Sequence, residues 1–282
     1  MRSQTADFSK AGRRLVKKEV ESVFWPDGTG VATQEDVNVS LYQAAAALNA
    51  NNKWQEVISE NLASASIPGY KKQAVSFDSV QSGMMGLAKS QSRVGLPNAT
   101  AQTVFSPGEM RRTEGKTDVA IDGSGFFEIQ LANGATAYTR DGEFQVNPQG
   151  QLVTKAGQVV ATDRGVGNFD SKDLSPISIS ATGEISQGGV NKGKLKIVEF
   201  NNPQLLTNIG GGCYLANNSN LTPKTVASPS LRQGYIEMSN TTAVSEMANL
   251  ISVMRTFEAN QKTIQLNDDR MNKAISELGN PA

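Results

Sequence analysis

The C-terminal stretch from Ala243 to Leu278 constrains this chain more than any other. Stepping alternately by four and three residues from Ala243 meets Met247, Leu250, Met254, Phe257, Gln261, Ile264, Asp268, Met271, Ile275 and Leu278, and nine of these eleven positions are apolar. A repeat averaging 3.5 residues keeps one narrow seam on one side of an α-helix, the pattern of a coiled-coil strand. Nothing that breaks a helix interrupts it before Gly279 and Pro281, which read as stop signals. Ser239, Asn240 and Thr241 precede it as candidate caps, although the Glu of a capping box is missing three residues on. At about 1.5 Å per residue the helix is on the order of 50 Å long, more than a compact core can cover, so it calls for a helical partner. Gln261 and Asp268 interrupt the seam, where a polar residue sets register or oligomeric state.

A matching pattern stands near the other end of the chain. Leu41, Ala44, Leu48, Asn51, Gln55, Ile58, Leu62 and Ala65 also step by three and four, and Pro68 and Gly69 close the run. Ala44 to Ala47 offer a smooth surface for close approach of a second backbone. Pairing of the two helices makes everything between them an insertion whose ends lie side by side. The seam positions expected to carry an assembly interface are Leu41, Ala45, Leu48, Ile58 and Leu62, with Met247, Leu250, Met254, Phe257, Ile264, Met271 and Ile275.

The insertion reads as β-structure. Phe127, Ile129 and Leu131 alternate with Glu128 and Gln130, Asn133 and Gly134 make a hairpin turn, and residues 135–140 return. Further turns at Asp141-Gly142, Asn147-Pro148 and Gly157 mark a meander of short antiparallel strands, extended by segments at 177–179, 184–186, 194–200 and 213–216. Residues 70–115 are rich in Ser, Gln and Gly and read as extended chain with a short strand near 103–105. The expected fold class is α+β: N- and C-terminal helices paired as a coiled-coil-like stalk, with an inserted antiparallel β domain. Its segments are a disordered or untranslated extension at 1–36, an N-terminal helix at 37–69, a connector at 70–115, the β domain at 116–235 and a C-terminal helix at 236–282.

Composition and motifs argue against chemistry. Twenty-seven basic and 27 acidic residues cancel, so no global field draws the chain to nucleic acid. The absence of His removes the commonest general base and metal ligand. Cys213 is the only cysteine, so no internal disulfide forms, and with no His to activate it a buried strand thiol is the expected role. No apolar run of about 18 residues exists, so direct membrane insertion is not expected. Asp122-Gly123-Ser124-Gly125 lacks the Lys and the helix of a phosphate-binding loop, and Asp141-Gly142-Glu143 lacks the remaining ligands of a calcium loop; both read as turns. Acidic pairs such as Asp118 with Asp122 carry no catalytic information, since acidic residues are common at turns. The chain reads as a non-enzyme with no cofactor and no metal.

Several motifs resemble those of the flagellar rod and hook family of bacterial axial proteins. The N-terminal signature is present as Leu41, Tyr42, Ala44 and Ala45, then Asn61, Leu62, Ala63, Ala65, Gly69, Tyr70 and Lys71, departing at Ala47 with Leu48, Glu60, Ser64 and Ile67. The middle matches through Gly125, Phe126 and Phe127, then Tyr138 to Gly142 and Phe144. The end matches through Gln233, Gly234, Tyr235, Glu237, Ser239 and Asn240, then Glu246, Met247, Arg255, Phe257, Glu258, Asn260 and Lys262.

The resemblance implies a structural subunit of the basal-body rod, proximal or distal, polymerising through its terminal helices into the axial drive shaft required for motility. It implies self-assembly, contact with other rod and hook subunits, type III export by the flagellar apparatus and a place spanning the periplasm. Competing readings are a hook-type subunit, usually longer, and a β-rich surface adhesin on a helical stalk. Residues 1–36 have no counterpart in the resemblance. Their cluster of Lys10, Arg13, Arg14, Lys17 and Lys18 is expected to be a disordered arm, or never translated if initiation occurs at Val37.

Overall fold

The computed structural model of the protein describes residues 34–82, 94–167, 169–170, 175–218 and 220–278. The basic cluster and the aromatic pair Phe24 and Trp25 lie outside the described residues. Two compact units emerge: one takes the described residues within Met1–Asn52, Phe77–Ala99 and Arg255–Ala282, the other takes Lys53–Ser76 and Thr100–Met254.

The architecture is α+β. Helix α1 (Gln34–Ser64) contains the N-terminal seam and runs without a break through residue 37, while α2 (Ala243–Leu278) has the bounds that the heptad pattern implies. The cap of α2 is Thr242, whose hydroxyl oxygen accepts the N–H of Ser245 at 3.3 Å. The Thr241 hydroxyl donates instead to Glu246 Oε1 at 2.7 Å. Asn240 is unavailable for capping because its side chain is bonded to other backbone, as described below.

Residues 70–115 hold more structure than extended chain with a strand near 103–105. They form β1 (Gln73–Ser82) and β2 (Val94–Thr103), which pair as a two-stranded sheet, and β3 (Met110–Arg112). The partner of β3 lies more than a hundred residues away, so local periodicity does not reveal that pairing. β3 pairs with β19 (Tyr235–Glu237), and β4 (Val119–Ile121) pairs with β18 (Leu231–Gln233), so the segment entering the β domain is zipped to the segment leaving it.

Between them the meander forms as the turn residues dictate. β5 (Phe126–Gln130), β6 (Thr136–Thr139), β7 (Phe144–Val146), β8 (Leu152–Thr154) and β9 (Val159–Thr162) join β15 (Thr207–Asn208) and β16 (Cys213–Leu215) in a ten-stranded sheet of order β15-β16-β6-β5-β9-β8-β7. β10 (Gly165–Val166), β14 (Ile197–Glu199) and β17 (Lys224–Thr225) attach off that path. β11 (Ile177–Ile179), β12 (Glu184–Gln187) and β13 (Val190–Lys194) make a separate three-stranded antiparallel sheet.

The central strands are buried on both faces, not one as simple alternation implies. Phe127, Ile129, Ala137, Ile197 and Cys213 point into the larger core, whereas Phe126, Tyr138, Val198 and Tyr214 point into a second cluster with Phe200, Leu206 and Leu221. Successive residues of a strand face opposite ways, so each pair such as Phe126 and Phe127 feeds both cores. Edge-to-face contacts knit the second cluster: the Tyr138 and Phe200 ring centroids lie 4.9 Å apart, and Phe105 sits 5.5 Å from Phe126. Full burial of each such side chain contributes about 2 kcal/mol. Cys213 is buried in its strand, and burial pushes its thiol pKa up.

Candidate functional site

The heptad pattern of α2 is visible in its exposure. Over residues 243–273 the least exposed positions are Glu246, Leu250, Val253, Phe257, Asn260, Ile264 and Asn267, again in steps of four and three. Leu250, Phe257 and Ile264 are shared with the expected seam. The alternate positions are displaced by one residue: Val253 is 0% exposed while Met254 beside it is 51% exposed, and Met247 and Met271 are exposed as well. Hydropathy alone favoured the methionines, because Glu246, Asn260 and Asn267 do not read as seam residues. Along α1, Ile58 is buried, Leu48 and Leu62 are half-buried and Ala45 is exposed. The side chains of Leu41 and Ile275 lie outside the described ones. The residues that sequence missed on α1 include Val57, buried beside Ile58.

The roots of the two helices, residues 53–64 and 243–254, belong with the β domain to one unit. Where the chain leaves α1 and returns to α2, five segments meet around buried charge. Lys71 is fully buried, and its ammonium donates to Glu237 and, at 2.9 Å, to Ser106 O. Glu237 Oε1 also accepts the N–H of Gly108 at 2.8 Å, while its Oε2 faces Arg140 Nη1 at 3.4 Å. Arg140 Nη2 donates to Gly123 O at 2.6 Å, and the guanidinium stacks over the Phe126 ring at 5.5 Å. The Asp122-Gly123-Ser124-Gly125 turn is thus a carbonyl partner for Arg140, not an anion cradle. Burial pulls the Lys71 and Arg140 pKa values below their usual ranges, with Glu237 opposing the shift in both.

Neutral bonds complete the junction. Gly69 donates its N–H to Glu237 O at 2.7 Å in a left-handed conformation, φ 67°, so close to the Arg140 backbone that a Cβ there would meet the Arg140 carbonyl carbon at 2.3 Å. Asn61 imitates a strand neighbour: its amide donates to Gln73 O at 2.8 Å and its oxygen accepts the Gln73 N–H at 2.9 Å. Asn240 does the same for the connector, accepting the Lys72 N–H at 2.7 Å and donating to Val104 O at 2.8 Å. Tyr70 donates its hydroxyl to Asn61 at 3.1 Å, and burial raises its pKa to about 12. Glu60, where the family pattern has Asn, accepts from Gln73 at 2.8 Å and Asn208 at 3.0 Å.

By sequence Gly69 reads as a helix stop and Asn240 as a candidate cap, whereas Asn61, Lys71, Arg140 and Glu237 carry no role beyond the family resemblance. The one local signal was a charge set in apolar surroundings, such as Glu237 after Tyr235 and Ile236. Among the described residues no group of three or more His, Cys, Asp or Glu side chains is placed to hold a metal, and no helix is long and apolar enough to cross a membrane.

Comparison with known proteins matches these segments. Residues 120–187 fit the family model of the flagellar hook protein FlgE/F/G D1 domain, and residues 232–277 fit that of the flagellar basal body rod FlgEFG protein C-terminal. The flagellar basal-body rod protein FlgG of Buchnera aphidicola subsp. Schizaphis graminum is 30% identical over 260 residues, covering 85% of this chain and 99% of that protein. The chain belongs to the flagellar basal-body rod protein family. Another relative, the rod protein FlgF of Caulobacter vibrioides, is 32% identical over 225 residues, 79% of this chain and 91% of its own length. FlgG of Bacillus subtilis is 29% identical over 84% of this chain. The family is a structural flagellar component, and the C-terminal model covers Glu237, Asn240 and most of α2.

Proposed function

We propose that this chain is a structural subunit of the bacterial flagellar basal-body rod that polymerises through the seams of its two terminal helices. The observation that carries the reading is the agreement of two facts: rod proteins match over nearly their whole length, and α2 shows a continuous heptad seam in its exposure. A hook-type subunit is disfavoured, because the relatives matched over nearly their whole length are named basal-body rod proteins. The rod-protein relatives give no support to a stalked adhesin.

Pairing of α1 with α2 as a coiled-coil-like stalk, within a chain or between neighbours, is the arrangement the two seams suit. Isolated helices of this kind gain little from propensity and are stabilised by covering their apolar side. Contacts with other axial proteins, export by the flagellar type III apparatus and a rod crossing the periplasm follow from the same reading.

Leu250→Asp with Phe257→Asp tests it, since both positions lie on the expected and the observed seam. Charge placed against apolar partners should abolish assembly and motility in a complemented null strain. Normal swimming, with the double variant present in purified basal bodies, refutes the interface.

A further inference from the structure

We propose that Lys71, Glu237 and Arg140 form a positioning lock that holds the roots of α1 and α2 in one arrangement on the β domain. The cluster is placed for that task. Lys71 follows the end of α1 at Ser64 by a short turn and Glu237 lies shortly before the start of α2 at Ala243, so the two charges flank the point where the chain leaves one helix and enters the other. Arg140 lies between them in sequence, at the end of β6, and reaches Glu237, Ile121 O and Gly123 O. Each bond is directional, and each joins segments far apart in the chain.

Stability does not account for the cluster. Two cations share one carboxylate in the interior, Arg140 Nε has no hydrogen-bond partner, and water is excluded from Lys71 altogether. Replacing such a buried ion cluster by uncharged side chains of similar size is often neutral or stabilising, whereas the geometry it imposes is lost. Apolar side chains tolerate many packings; a carboxylate held by Lys71, Gly108 N–H and Arg140 tolerates one. For a long helix this matters, because a small angular change at the root grows along its length.

The test is made on the free full-length chain and so does not depend on rod assembly. Ala63 and Ala248 are exposed, one on each root, and cysteines placed there take spin labels while buried Cys213 reacts slowly. The variant Lys71→Met with Arg140→Met and Glu237→Gln removes every charge yet keeps an acceptor for Gly108 N–H. It should melt within about 4 °C of the parent. Its inter-label distance distribution should broaden about twofold as other root arrangements become populated. Arg140→Lys alone keeps the charge but cannot reach Gly123 O and Glu237 together, and should broaden the distribution while leaving the fold intact. An unchanged distribution in both variants overturns the lock. Global unfolding of the triple variant, with an unchanged distribution in Arg140→Lys, also overturns it by making the cluster a stability element.

Discussion

Replacing Gly69 by Ala probes the junction where it is tightest. Three costs add. The backbone at φ 67° is left-handed, which an L side chain adopts at a cost of about 1–2 kcal/mol. The new Cβ would stand 2.3 Å from the Arg140 carbonyl carbon and 2.4 Å from the Asp141 nitrogen, backbone atoms that no rotamer change can move aside. The corner after β6 must therefore shift, and with it the 2.7 Å bond from Gly69 N–H to Glu237 O, worth about 1 kcal/mol.

With disturbance of the buried charges the total is about 3–5 kcal/mol. Gly134→Ala is the control. Its φ is 80°, but nothing lies within 4 Å of the added Cβ. The strain is then partly offset by reduced freedom of the unfolded chain, leaving a loss of about 0.5–1.5 kcal/mol. In urea unfolding followed by circular dichroism the midpoint for Gly69→Ala should fall about 1 M further than for Gly134→Ala. Equal midpoints refute the steric account of the junction.

Asp141 has its pKa pushed up, opposite to the shift of a carboxylate that gains a cationic partner. Burial is the main cause that raises its pKa from 3.8 to about 6, so the folded state binds the proton more tightly than the unfolded state. Its favourable contribution is complete below pH 3.8 and is lost as pH rises through 6. Asp141→Asn, which keeps an acceptor for the Glu143 N–H, should therefore be more stable than the parent at pH 7.5 by at most about 3 kcal/mol and level with it near pH 4. Parallel stability profiles across that range refute the assignment. On α2, Val253→Asp should lower stability by on the order of 4 kcal/mol while Met254→Asp leaves the melting temperature of the free chain nearly unchanged. Indistinguishable melting curves would contradict the observed seam.

Local pattern decided what is local. The heptad run gave the limits of α2, because helix period and stop residues act within a few turns, and the Asn133-Gly134 and Asp141-Gly142 turns gave the meander, because turn conformation is a property of two or three residues. Motif order identified the family. Tertiary structure alone decided the rest. Whether Val253 or Met254 faces inward depends on what the root of α2 packs against, and both residues are apolar. Strands β1 and β2 and the pairings β3 with β19 and β4 with β18 depend on partners that local pattern does not identify. Lys71, Arg140 and Glu237 look like ordinary surface charges until the chain brings residues 69 and 166 positions apart into one dehydrated space. Burial there makes each charge depend on the others, and that dependence is a property of the folded chain.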